Sequence, residues 1–288
     1  MNRKTRGLVT GGLMGLVAAI GLSASAAAPF KVGLAGFSFW KTPLDKALET
    51  MKTIDCHYLC VKDFFLPLDA DDARIAEFRA KCKAAGVESR ASGPLYISDE
   101  KTTRKLFAQA KKMGIGTVVV VPFERGEAEE GKKPQNVESE KALDILEKLV
   151  KEFDIRAAIH NHGPDMPELY PTAEAVMARV ANRDRRIGCC LDIGHEQRAG
   201  FDPVAAIRKY GERIYDVHLK NIHKADRSGH AVQGPRGALD IRGVFKALAD
   251  VNYTGVCHIE YERDFENNAM GLAESFGYYR GVLDGLGL

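Results

Sequence analysis

The sequence predicts one α/β domain, a single (β/α)8 TIM barrel following a cleaved signal peptide, and three observations carry that prediction. Strand-like and helix-like segments alternate without interruption, giving eight strand–helix units in about 260 residues, near the usual size of such a barrel. Four of the strand-like runs end abruptly in a carboxylate or an imidazole: Ile159-His160-Asn161-His162, Leu191-Asp192-Ile193-Gly194-His195, Val217-His218-Leu219-Lys220 and Ile259-Glu260-Tyr261-Glu262. A doubly wound open sheet is the rival, and the glycine-rich turn it needs after its first strand is missing.

The elements follow in order. Residues 1–26 read as a leader: Arg3, Lys4 and Arg6 precede an apolar run over 8–22, and Ala24-Ser25-Ala26 supplies the small residues for cleavage after Ala26. The run is shorter than the ~20 residues of a membrane-spanning helix, so no stable membrane anchor is expected after processing. The barrel domain is 27–288, with a periplasmic or secreted address. Its first strand covers 31–37 and its first helix 44–53. A second strand over 57–62 leads to a helix over 71–85 closed by Gly86, and the third strand over 87–91 precedes a helix over 102–113 that stops at Gly114. The β-branched run 117–121 marks a strand buried on both faces. Over 141–153 the apolar positions 142, 143, 145, 146, 149, 150 and 153 keep a helical period.

The second half repeats the pattern. The fifth strand covers 156–160, and Thr172 caps a helix running to 181. The sixth covers 187–192, after which Asp202 and Pro203 form an N-cap and first-turn proline. The seventh covers 215–220, Asp240 caps the next helix, the eighth strand covers 256–260, and a last helix runs over 269–283. Residues 126–135 read as a charged surface loop. The irregular segment 221–239, on the face where strand C-termini open, has the length of a lid or binding loop.

Composition narrows the partners. Taking the leader's three basic residues from the 41 Lys+Arg leaves 38 against 39 Asp+Glu, a balance near −1 that gives no reason to expect nucleic acid. A small-molecule sugar is the expected partner, and a homo-oligomer is open. All six cysteines lie beyond the leader; some could pair in an oxidising compartment, whereas Cys189, Cys190 and Cys257 sit in apolar runs where a free thiol is a small buried hydrophobe.

In a parallel barrel the strand C-termini share one rim, so His160, Asp192, His218 and Glu260 meet there as a nitrogen-and-oxygen set for one divalent metal, Mn²⁺, Zn²⁺, Mg²⁺ or Fe²⁺. Lys220, two residues past His218, points to the same side of its strand and is placed to stabilise an enolate. His195, three residues past Asp192, either touches substrate, supports a ligand or caps the next helix. His162, Lys62 at the end of the second strand, and Arg236 in the turn Gln233-Gly234-Pro235-Arg236-Gly237 are candidate substrate contacts.

With these motifs the chain resembles the sugar phosphate isomerase/epimerase family with the xylose isomerase-like TIM barrel. That group includes ketose 3-epimerases, hydroxypyruvate isomerase, inosose dehydratase and metal-dependent apurinic endonucleases. The likeness is densest over 158–262: a ligand ending the fifth strand, Leu191-Asp192-x-x-His195, Val217-His218-Leu219-Lys220, an Asp-capped helix, Tyr253-x-Gly255 and a final Ile259-Glu260. The resemblance implies one divalent metal held by Glu, Asp, His and Glu, with Asp192, His218 and Glu260 in the last three places and His160 where the first Glu normally stands. In the epimerases the two glutamates are the bases on opposite faces of the substrate, so the change at His160 bears on the reaction. The implied activity is an isomerase or epimerase in which Glu260, or in second place His160, draws off an α-proton to give a metal-bound enediolate while Lys220 or His195 helps to hold the charge. The expected export, since phosphorylated sugars are mainly intracellular, turns the expected substrate to an unphosphorylated sugar or keto-sugar. A 3-keto-glycoside lyase or hydratase is the alternative on the same scaffold, and a silent periplasmic sugar-binding protein the alternative of another class.

Overall fold

A computed structural model of the chain describes residues 28–127 and 135–288. The predicted leader lies outside the described residues, as does most of the predicted loop over 126–135. Among the described residues no helix is long and apolar enough to cross a membrane.

Eight parallel strands close on one another, β1 (Lys31–Ala35), β2 (Tyr58–Val61), β3 (Glu88–Ile97), β4 (Thr117–Arg125), β6 (Arg156–His160), β7 (Ile187–Asp192), β8 (Ile214–Leu219) and β9 (Val256–Ile259). They pair in that order, and β9 returns to β1 with Leu34 opposite Ile259, so the barrel has no free edge. The sequence does not announce β5 (Asn136–Glu138), which folds back antiparallel on an extension of β4, with Phe123 opposite Glu138.

Helices α1 (Leu44–Thr53), α2 (Asp72–Ala84), α3 (Glu100–Met113), α4 (Glu140–Phe153), α5 (Ala173–Val180), α6 (Ile193–Arg198), α7 (Pro203–Tyr210), α8 (Ile241–Asp250) and α9 (Ala269–Leu286) complete the described chain. Local chemistry sets their ends. Asp71, Asp99, Ser139, Thr172, Asp202 and Asp240 each cap a helix through the side chain, and Gly114 closes α3 in the left-handed region at φ 73°. The short α6 is unforeseen in the sequence because its cap is the last residue of a strand, Asp192.

The strand period of two sorts residues between two cores. Val118, Val120, Ala157, Ile159, Cys189, Leu191, Val217, Cys257 and Ile259 pack outward into the continuous core shared with the helices. The residues between them face the barrel interior, where Cys60, Ala91, Val119, Ala158 and Cys190 form a layer of mostly small side chains. His160, Asp192, His218 and Glu260 stand one inward position above that layer, and the small residues leave room for imidazole rings. All six cysteines are buried and unpaired, which fits the reading of Cys189, Cys190 and Cys257 as core residues.

Candidate active site

His160 ends β6, Asp192 ends β7, His218 lies near the end of β8, and Glu260 directly follows β9. Register alone brings them together: His160 is opposite Cys190, Asp192 opposite His218, and His218 opposite His258, two residues before Glu260. One donor atom from each of the four lies within 4.8 Å of the others. His160 Nε2 is 3.1 Å from His218 Nδ1, 3.7 Å from Asp192 Oδ2 and 3.8 Å from Glu260 Oε2, while His218 Nδ1 is 3.2 Å from Glu260 Oε1. The site is buried, with Asp192 and His218 at 0 % exposure.

Lys220 is tied into the set more tightly than its strand parity alone implies. Its Nζ stands 3.1 Å from Asp192 Oδ2, 3.0 Å from Glu260 Oε2 and 3.1 Å from Glu262 Oε2, and 2.9 Å from His195 Nε2. Burial opposes its charge, but the three carboxylates together hold the ammonium well above the ordinary lysine value. The same exchange acts on Glu260: burial favours the neutral acid, yet Lys220 and His218 keep it ionised well below the usual carboxylate range. Asp192 is pushed up to about 7 by burial, with Lys220 pulling the other way and the neighbouring Glu260 adding to the rise. Burial and the neighbouring histidines hold His160 neutral, far below its ordinary value.

Asp192 divides its oxygens. Oδ1 accepts the His195 backbone N–H at 2.8 Å and starts α6, whereas Oδ2 faces the donor set and is held only by its ion pair with Lys220 at 3.1 Å. Gly194 makes this approach possible, since a Cβ there would stand 2.5 Å from the Lys220 carbonyl oxygen. Asn161 takes the Asp192 N–H at 2.8 Å and donates to Glu196, whose carboxylate also accepts the first N–H of α5 at 2.8 Å. Burial raises Glu196 to about 7. Burial opposes a charge on His218, but the carboxylates of Glu260, Asp216 and Asp192 raise it above its ordinary value. A buried cluster of two imidazoles and two carboxylates is a donor set suited to a divalent cation, which would take the place of the His218 proton.

The remaining predicted residues divide. His195 is half-buried, with its Nε2 2.9 Å from Lys220 Nζ, and supports it from the side. His162 lies at the mouth, its Nε2 3.0 Å from the Tyr96 hydroxyl and its ring stacked on His195 at 5.9 Å between centroids. Burial lowers it to about 4. Lys62 is on the same rim, where its Nζ donates to the Pro94 carbonyl at 2.5 Å and pairs with Asp63 at 3.4 Å. Arg236 is not brought to the site: its guanidinium turns outward onto Glu274 of α9 at 2.8 and 3.0 Å, and its side chain is 63 % exposed. The turn that carries it was the cue, and a turn fixes backbone without fixing where a long side chain goes. The loop over 221–239 is pinned too, by Asn221, whose side chain bonds Gly234 O, Ile222 N and Leu239 N. Sequence reasoning missed Glu262 and Tyr96 as site residues. Glu262 is two positions past Glu260, and that spacing was the available signal.

Comparison with known proteins agrees with the barrel fold. The family described as xylose isomerase-like TIM barrel matches residues 36–281. An inosose dehydratase of Clostridium tetani is 31% identical over 175 residues, 51% of this chain and 58% of that protein, so the match spans about three-fifths of that relative. A solved structure of an uncharacterised protein from Parabacteroides distasonis superposes with TM-score 0.65 at 26% identity, covering 88% of this chain and 99% of the other. The D-psicose 3-epimerase of Clostridium cellulolyticum, solved with D-tagatose, superposes over 88% of this chain and 99% of its own at TM-score 0.69 and 17% identity, a likeness of fold.

Proposed function

The chain belongs to the xylose isomerase-like TIM barrel family, and from that premise we propose that it is a metal-dependent enzyme on sugars that removes the proton beside a carbonyl and then expels a β-hydroxyl as water. The observation that carries the reading is the asymmetry of the site. One ionised carboxylate, Glu260, is held against a permanent ammonium, and the place across from it belongs to His160, a neutral and weakly basic imidazole. Epimerisation needs a competent base on each face of the substrate, whereas elimination needs one. The similarity to an inosose dehydratase supports the same choice.

His160, Asp192, His218 and Glu260 would hold the ion, which when bound polarises a substrate carbonyl and its neighbouring hydroxyl. Glu260 takes the α-proton, breaking the C–H bond and leaving an enediolate. Lys220, fixed as a cation, faces the developing negative oxygen without reorganising. The protonated Glu260 then returns that proton to the departing β-oxygen on the same face, so that C–O breaks, C=C forms and water leaves. Three carboxylates already engage Lys220, which supports an unphosphorylated substrate. Trp40, Phe64 and Tyr96, exposed on the rim, offer apolar faces for a sugar ring.

Incubation of the metal-loaded protein with an inosose and with keto-sugars in deuterated water tests the proposal by mass spectrometry. The expected product has lost water. Deuterated, epimerised substrate with no loss of water would replace dehydration by epimerisation, and no exchange at all would make the protein a binder. The proposal includes export by the segment 1–26. N-terminal sequencing of protein recovered outside the cytoplasm should begin at Ala27, and an intact Met1 on that protein would remove it.

A further inference from the structure

Beneath the set just described lies a second group of donors, which shares His218 with it and adds two residues, Cys60 and His258, that the proposed reaction does not use. Cys60 of β2, His218 of β8 and His258 of β9 each present a ligand atom within 4.8 Å of the other two, and all three residues are completely buried. His258 Nδ1 is 2.8 Å from Asp216 Oδ1. With that nitrogen as donor, the ring's lone pair sits on Nε2, and a carboxylate behind an imidazole is the arrangement that orients metal-binding histidines. His258 Nε2 has no hydrogen-bond partner. His218 is in the same condition: its Nδ1 faces Glu260 and His160, while its Nε2, 4.0 Å from Asp216 Oδ1, has no partner.

The surroundings do not satisfy these atoms. The Cys60 thiol donates to the Gly93 carbonyl at 3.4 Å, a bond that metal binding would replace, and the rest of the layer is Ala91, Val119, Ala158 and Cys190, which offer the two imidazole nitrogens nothing. Two partnerless imidazole nitrogens sharing one buried space are costly unless a cation or a water fills it, and the Cys60 sulfur is the third donor within reach. An approach for either lies at the N-terminal end of the barrel, opposite the active-site rim. A cavity of about 280 Å³ there is walled by Tyr58, Arg90, Thr117, Tyr215 and Asp216, so it ends against the buried residue that holds His258.

We propose that Cys60, His218 and His258 form a second metal site, one layer below the first, for a borderline-soft ion such as zinc. A thiolate with two imidazoles selects such an ion over magnesium or calcium. Binding releases the Cys60 thiol proton to solvent and forms the sulfur–metal bond. The two sites share only His218, which turns Nδ1 to the upper and Nε2 to the lower; with both filled its ring bridges them and gives up its remaining proton.

Cobalt(II) added to chelator-treated whole protein is the test, because a thiolate ligand produces a sulfur-to-cobalt charge-transfer band and the nitrogen-and-oxygen upper set does not. The wild type should show that band and bind about two equivalents, and zinc should displace the band. Cys60→Ala should lose the band and one equivalent, Glu260→Gln should keep the band, and Cys190→Ala should leave it unchanged. Absence of the band in the wild type at saturating cobalt would overturn the site and leave a buried water in its place. A band that survives Cys60→Ala, or vanishes in Cys190→Ala, would overturn the ligand assignment. Should Cys60→Ala not fold, His258→Gln, which keeps the thiol, must shift and weaken the band. None of these outcomes touches the proposed dehydration, which depends on the upper set.

Discussion

Glu260→Gln is expected to lower kcat by about 10³-fold or more at saturating metal. The amide keeps the shape of the side chain and can still meet Lys220 and His218, so packing is preserved. It loses the charge that draws the α-proton. Because a carboxylate in this position is also a prospective ligand, metal affinity should fall as well, and the two effects separate by titration. The activity of the variant should stay low when divalent ion is raised until binding saturates. If excess metal restores wild-type turnover, Glu260 is a ligand alone and the base lies elsewhere.

Lys220→Met should produce the largest change in stability. The ammonium is buried within 3.0–3.1 Å of three carboxylates, and removing it leaves Glu260 without its main counter-charge and Asp192 to be buried either as a carboxylate beside Glu260 or, at the cost of binding a proton, as the neutral acid. Breaking a buried ion pair from one side costs about 3–5 kcal/mol. The loss should be read as a drop in the unfolding midpoint of chelator-treated protein, and a divalent ion should recover much of it by standing in for the missing positive charge. The sign with pH follows from Asp192. Its folded-state value of about 7 lies above its ordinary 3.8, so its contribution is present at low pH and lost as pH rises through 7. Without Lys220 that carboxyl rises further and Glu260 loses its main stabiliser, so the deficit should be larger at pH 8 than at pH 5. Equal midpoints for variant and wild type, with chelator present, would remove Lys220 from its assigned role.

The barrel is legible in the sequence because its determinants are local. β-branched and apolar runs of strand length, side-chain caps such as Thr172 and Asp240, and the stop at Gly114 each act within a few residues. The upper donor set is legible for a geometric reason, since parallel strands bring their ends to one rim whatever the helices between them do. What was missed depends on chemistry between distant positions. The Asp216–His258 bond joins residues 42 apart in sequence, and strand parity places both inside the barrel without saying that they pair. β5 has three residues, too few for any period, and exists through its partner β4. Arg236 shows the limit from the other side: its turn was read correctly, and its guanidinium followed Glu274 on a helix that the turn does not control.

Asp192 gives one oxygen to a helix and the other to the centre of the barrel, and this makes a single carboxylate answer to two masters. The His195 amide at the start of α6 and the donor set share that one side chain. Asn161 and Glu196 extend the chain of bonds to the first N–H of α5, so two helix starts are moored to the floor of the site. The same few polar atoms that shape the centre of this protein thus also fix where two of its helices begin.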